Sequence, residues 1–258
     1  MQYVSIALAK FYSELTYKLN FITGLIGDAL GVLISVFVWI AVYETSSSDV
    51  IAGFDVNEMI LYLIISNLGM ILLSTDIVTQ MGSFIKKGKL TTMLLRPYSI
   101  LACNFSSYVG KRLVYIIPYL IIMVILLPSS IRLNYYALVL LFGIVNFFMF
   151  FILMQCIGNL GFFVIEMWPI RPLVNSIYLL LGGIYFPLSL LPENIFSVMK
   201  LTPFALVGYD FTVAVQNKLT IEVLWQYTVI SVIWLILFYG IYKFTFKRGL
   251  KKYEGMGA

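Results

Sequence analysis

Apolar residues run along this chain in blocks near 20 residues long, separated by short polar clusters that hold most of the charge. Blocks of that length match the hydrocarbon core of a bilayer, and none shows the two-residue alternation of a barrel strand. The pattern predicts an all-α polytopic membrane protein with spans at 21–43, 57–80, 114–127, 135–165, 173–186 and 223–242. The third is short, and it starts earlier if 101–109 is already helical. The fifth, at fourteen residues, is too short to cross comfortably and is broken by Gly182-Gly183 and Pro187. The apolar residues that follow it, up to Pro192, read as a segment dipping back from the outer side, with 196–211 as amphipathic outer-surface material. Pro128 and Arg132 read as a tight outer turn.

Residues 1–20 have a different period. Val4, Leu8, Phe11, Leu15 and Leu19 recur at steps of three and four, with Ser13, Glu14 and Lys18 off the stripe. This is an amphipathic helix, suited either to the membrane interface or to packing on a neighbouring bundle. Lys10, Glu14 and Lys18 interrupt any continuous apolar core, so the segment does not read as a signal peptide.

Composition agrees with the pattern. The 258 residues are 61% hydrophobic and 11% charged, against about 45–50% and 25% in soluble domains. Mean hydropathy is +0.97. The net charge of +5 is no nucleic-acid signature, because the cations sit at the ends of apolar blocks. Histidine is absent, which removes the commonest general base and metal ligand. Cys103 and Cys156 lie in different apolar blocks without metal-like spacing. No constellation for catalysis, cofactor or metal binding emerges from the residues.

Charge also sets orientation. With both termini cytoplasmic, fourteen of the 17 Lys and Arg fall inside and only Arg132, Lys200 and Lys218 outside, a strong positive-inside bias. The outer loops instead collect acids such as Asp49, Asp55, Glu58 and Glu193.

The most basic short stretch is 81–99. Lys86, Lys87, Lys89 and Arg96 occur there without an acid, and an apolar ridge of Leu90, Met93, Leu94 and Leu95 runs up to Arg96-Pro97. Gly82 and Gly88-Lys89 superficially suggest a phosphate loop. Five residues separate the glycines instead of four and Leu90 follows the lysine, so the P-loop pattern fails. Gly88 permits a turn, residues 89–95 make one to two helical turns, and Pro97 ends them. Leu90, Met93 and Leu94 share a face that either enters a groove of a soluble partner or dips into lipid.

Asp28 and Asp76 are intramembrane carboxylates, and with Glu166 they are either pathway acids or structural, paired acids. Asp76 lies within reach of Lys86, Lys87 or Lys111. The aromatic residues of the fourth and fifth spans, including Phe147, Phe151, Tyr178 and Tyr185, suit a substrate wall or a packed core equally. An ion-coupled secondary transporter using Asp28 and Asp76 is the competing reading; the lack of internal repeats counts against it.

Gly88-Lys89-Leu90 with Leu94-Leu95-Arg96-Pro97, and the tail Tyr253-Glu254-Gly255 with Gly257-Ala258, are joined by six spans and an amphipathic first helix. Together they resemble the permease subunits of type-2 ATP-binding-cassette transporters, in the branch whose ATPase is a separate chain. The resemblance implies that Lys86 to Pro97 (Lys86, Lys87, Gly88, Lys89, Leu90, Met93, Leu94, Leu95, Arg96, Pro97) is a coupling helix docking on a nucleotide-binding subunit. It implies that 1–20 is a connecting helix and that 173–211 is a fifth span with re-entrant outer helices. It further implies ATP and Mg on the partner ATPase, a second permease chain, a bacterial plasma membrane with its lipids, and export of a drug, peptide, lipid or glycan precursor.

Overall fold

A computed structural model describes residues 2–126, 133–164 and 166–253, with backbone alone for 20 and 117–126. The turn expected at Pro128 to Arg132, the far ends of the expected third and fourth spans, and the tail beyond Tyr253 lie outside the described residues.

The described residues form twelve α-helices: α1 (Gln2–Thr16), α2 (Lys18–Thr45), α3 (Val56–Leu72), α4 (Val78–Lys86), α5 (Lys89–Leu94), α6 (Ile100–Leu126), α7 (Leu133–Gly158), α8 (Ile170–Leu181), α9 (Glu193–Met199), α10 (Pro203–Val207), α11 (Tyr209–Val215) and α12 (Ile221–Lys252). Short 3-10 turns join α3 to α4, extend α7 and precede α9. Among the described residues, Phe21–Thr45, Val56–Lys86, Leu133–Phe162 and Ile221–Lys252 are long and apolar enough to cross a membrane. A fifth crossing segment results if the bent pair Glu193–Met199 and Pro203–Val215, which meet at 76°, counts as one.

Helix starts follow local chemistry. Asp55 and Glu58 form a reciprocal capping box at α3, and the Thr220 hydroxyl accepts from the Val223 N–H at α12. Tyr17 alone separates α1 from α2.

The core is built around α7, whose largest contact is with α12. Polar side chains join these two helices. Ser231 Oγ donates to Asn146 Oδ1 at 2.9 Å, Cys156 Sγ donates to the Phe238 carbonyl at 3.1 Å, and Asn159 Nδ2 donates to Thr245 Oγ1 at 2.8 Å. The fourth-span aromatics pack inward: Phe147, Phe148 and Phe151 meet Phe105 of α6, and Phe150 meets Tyr178 of α8. Phe150 and Phe151 are core residues, whereas Phe147 and Phe148 also border an apolar cavity between α3, α6 and α7.

Irregular backbone at membrane depth survives only where other groups satisfy it. α3 ends at Leu72, and the freed carbonyls of Ile71 and Leu72 accept from Arg112 at 3.0 Å and Tyr108 at 3.3 Å. Past α8, the Gly183 carbonyl accepts from Tyr62 and the Tyr185 carbonyl from Trp39 at 3.0 Å.

The structure decides or changes several expectations. Of the two starts open for the third helical block it takes the earlier: α6 is one 27-residue helix from Ile100, with Lys111-Arg112 inside it. The run 173–186 breaks at the expected glycines: α8 has 12 residues, about 18 Å, and Gly183 turns with φ 68°. The segment 196–211 is not surface material as a whole, because Ala205, Leu206, Val207 and Asp210 are all buried. The basic end of α12, Lys251 and Lys252, is helical. Finally, of the two uses open to the α1 stripe, packing on the bundle is taken at its edge: Ala7, one turn before the half-buried Phe11, lies against Gly110 of α6, while Val4, Leu8 and Leu15 are exposed.

Candidate functional site: a basic knob and a cavity lined by acids and guanidiniums

The basic stretch becomes a small, firmly seated projection. α4 continues the second span, Gly88 reverses the chain with φ 66°, and the six-residue α5 follows. A β-carbon at Gly88 would be strained in that left-handed region, so glycine is the natural residue there. Leu90 is fully buried in a cluster with Met81 and Ile100, to which Met93, Phe84, Phe162, Phe246 and Tyr253 add partial cover. Thr91 Oγ1 and the Tyr253 hydroxyl lie 2.8 Å apart in a hydrogen bond. Lys86 pairs with Glu166. α4 is held close to the turn after α7, where a β-carbon on Gly161 would sit 2.8 Å from the Gly82 backbone.

The expected face of Leu90, Met93 and Leu94 is therefore divided. Leu90 anchors the helix from below and Met93 is half-buried, whereas Leu94 is 42% and Leu95 82% exposed. Lys86, Lys87, Lys89, Arg96 and Pro97 are exposed around them, and Arg96 donates to the Tyr98 hydroxyl at 2.6 Å. What projects is an apolar tip in a ring of cations. Tyr3 of α1 accepts from the Ser99 N–H at 3.4 Å, so residue 3, α5 and Tyr253 gather at one end of the bundle. The opposite end carries the α2–α3 connection and the α9–α11 segment, which share a cluster through Tyr43, Phe54, Met59, Leu188 and Tyr209.

The acids separate by role. Glu166 belongs to the projection through Lys86. Asp76 is paired with Arg112 at 3.1 Å and with Arg171; of the expected lysines, Lys111 borders a cavity with it but none forms an ion pair with it among the described residues, because the long α6 brings Arg112 alongside the break in the second span. Asp28 takes part in no ion pair among the described residues. It borders a cavity of about 1010 Å³ between α2, α3, α6 and α8. Gly24, Gly27 and Gly31 of α2 form one wall, and Tyr115, Trp168 and Tyr185 contribute aromatic rings. Asp76, Arg112 and Arg171 complete its polar side. Arg112, Arg171 and Trp168 had not been singled out from the sequence. Arg112 was hidden as an apparent loop cation, and Arg171 looked like part of a turn. Among the described residues no cluster of His, Cys, Asp and Glu could hold a metal ion.

Long apolar helices, a broken helix with satisfied carbonyls and a polar intramembrane cavity define a multi-pass membrane transport protein. The chain belongs to the ABC-2 transporter family: the model described as "ABC-2 family transporter protein" matches residues 30–257. It is thus a permease, the membrane component of an ABC transporter without the ATP-binding cassette, of a family that typically works with an ATPase subunit. A comparison with curated proteins finds no match.

Proposed function

We propose that this chain is the membrane half of an exporter driven by a separate ATPase chain, which holds the ATP and Mg, and that α5 is the helix the ATPase grips. One observation carries the reading: Leu94 and Leu95 project from a short helix whose own Leu90 is fully buried, amid cations and at the end of a span. A helix that only dipped into lipid would gain little from such a rigid seat. A helix that must transmit force needs one, and an exposed apolar tip suits insertion into a groove of a soluble subunit.

In this proposal six spans cross the membrane: α2, the α3–α4 pair, α6, α7, α8 with the segment after it, and α12. The α9–α11 segment re-enters from the outer side. Both termini are cytoplasmic and the membrane is a bacterial plasma membrane, as the positive-inside count supports. A second permease chain, identical or different, lies against α2. The cavity at Asp28 belongs to the pathway for a drug, peptide, lipid or similar amphipathic compound. Asp76, tied by two guanidiniums, is a structural acid in this scheme, which leaves an ion-coupled carboxylate pair without one of its members.

The test is gentle solubilisation and purification, with a nucleotide-binding chain expected at equal stoichiometry. Leu94→Ala with Leu95→Ala should abolish ATP-driven export and weaken association at least tenfold while the chain still inserts. Full association and full export in that double variant would overturn the reading.

A further inference from the structure

Motion at α5 has two obvious ways into the membrane, through α4 or through α6, because the chain continues into each. The first is interrupted. The second span breaks at Leu73–Ser74, where Leu73 has φ −103° and ψ 58°, so a push along α4 meets a joint. α6 is continuous, but its polar ties end on the carbonyls at that same joint and on Gln155 of α7.

A third route does not follow the chain. Tyr253 sits at the end of α12, hydrogen-bonded to Thr91 of α5. Its ring packs edge-on to Phe162, which packs edge-on to Phe246. α12 is 32 residues long without a break, about 48 Å of continuous helix. The bonds from Asn159, Cys156 and Asn146 fix it to α7 along its length. Asn146 is the last of these and uses both ends of its amide: its Oδ1 accepts from Ser231 of α12, and its Nδ2 donates to the Leu206 carbonyl of α10 at 3.0 Å. One buried amide thus holds three elements together. Trp234 of α12 adds a second link to the same segment, donating to the Leu201 carbonyl at 2.9 Å.

We propose that α12 packed on α7 is the rod that carries motion of α5 to the buried α10–α11 segment, with Tyr253 and Asn146 as positioning residues at its two ends. The proposal rests on the reading of α5 as the ATPase-docking helix. Its physical basis is continuity: coupling over such distances needs packed, hydrogen-bonded elements that move as a body. Of the three routes from α5, this one is unbroken and ends in direct bonds to the re-entrant backbone. Each interhelical hydrogen bond of this kind is worth roughly threefold to twentyfold in an equilibrium, enough to bias a segment whose carbonyls depend on such bonds.

The experiment is hydrogen exchange of the full-length chain in nanodiscs, in complex with its co-purifying ATPase, with and without ATP. Wild type should show ATP-dependent changes at both 89–95 and 203–215. In Asn146→Leu and in Tyr253→Ala the change at 89–95 should persist while that at 203–215 falls at least threefold. Tyr253→Phe, which keeps the ring and loses the hydroxyl, should fall between. Tyr253 is at a half-exposed helix end, so its variants report even if Asn146→Leu fails to fold. An undiminished response at 203–215 in Tyr253→Ala, with 89–95 still responding, overturns the rod. No ATP-dependent change at 89–95 in wild type overturns the docking reading itself.

Discussion

Helices α2 and α7 are nearly the same length, 28 and 26 residues, and both are almost continuously apolar. Their surroundings are opposite. None of the most apolar stretch of α2 is buried against the rest of the chain, whereas half of that of α7 is. Apolar length brings a helix into the bilayer but says nothing about its neighbours, because lipid tails are as apolar as leucine. What sets α7 apart is amide side chains. Asn146, Gln155 and Asn159 are all buried, and each bonds to another helix. α2 instead offers glycines with nothing against them and one acid facing a cavity. In the proposed assembly, a second permease chain covers that bare face.

The largest expected effect falls on the α7 side. Gly161→Val forces a branched side chain into the Gly82 backbone and should cost about 3 kcal/mol, read as loss of monodisperse protein after mild heating. Next is Arg112→Met, which removes one guanidinium from Asp76 and a donor from the Ile71 carbonyl. Its cost should be roughly 2 kcal/mol, less than for a fully enclosed pair because the Asp76 side chain is 41% exposed. Loss of the second-span break should show as faster hydrogen exchange around 71–76. Ser231→Ala removes one α12–α7 bond and should lower stability by about 0.6 kcal/mol, measurable as a small shift in thermal melting. On α2, Gly27→Ala meets no atom within 4 Å. Alanine there should hold or raise the helix by up to about 1 kcal/mol in the isolated chain. If Gly27→Ala destabilised the isolated chain as much as Gly161→Val, the contrast between the two helices would collapse. If it weakened pairing with a second chain instead, the contrast would gain a cause.

The same contrast explains what could be read in advance. The turn at Gly88 and the short helix after it were legible, because a glycine before a lysine and a proline stop are local signals, whereas the break at Leu73–Ser74 inside the second expected span was not. The start of α6 was left open, since Lys111-Arg112 carries the same signature as a loop end until Asp76 and the Ile71 carbonyl are seen beside Arg112. Leu90 was read with Leu94 on an outward face. The spacing was sound, but it cannot say which side of a one-turn helix rests on Met81 and Ile100. On α1, periodicity revealed an apolar face with two possible uses, and the close approach of Ala7 to Gly110 decided which edge of it meets the bundle.

From sequence alone come membrane residence, helical class and the resemblance to type-2 permeases, which rest on composition, block length and short motifs. Tertiary structure decided the partners of Asp76, the burial of α10 and α11, and the link from Thr91 to Tyr253 across 162 positions. Those contacts follow from satisfying broken backbone and polar side chains inside an apolar medium, a condition met by whichever distant group the fold brings near.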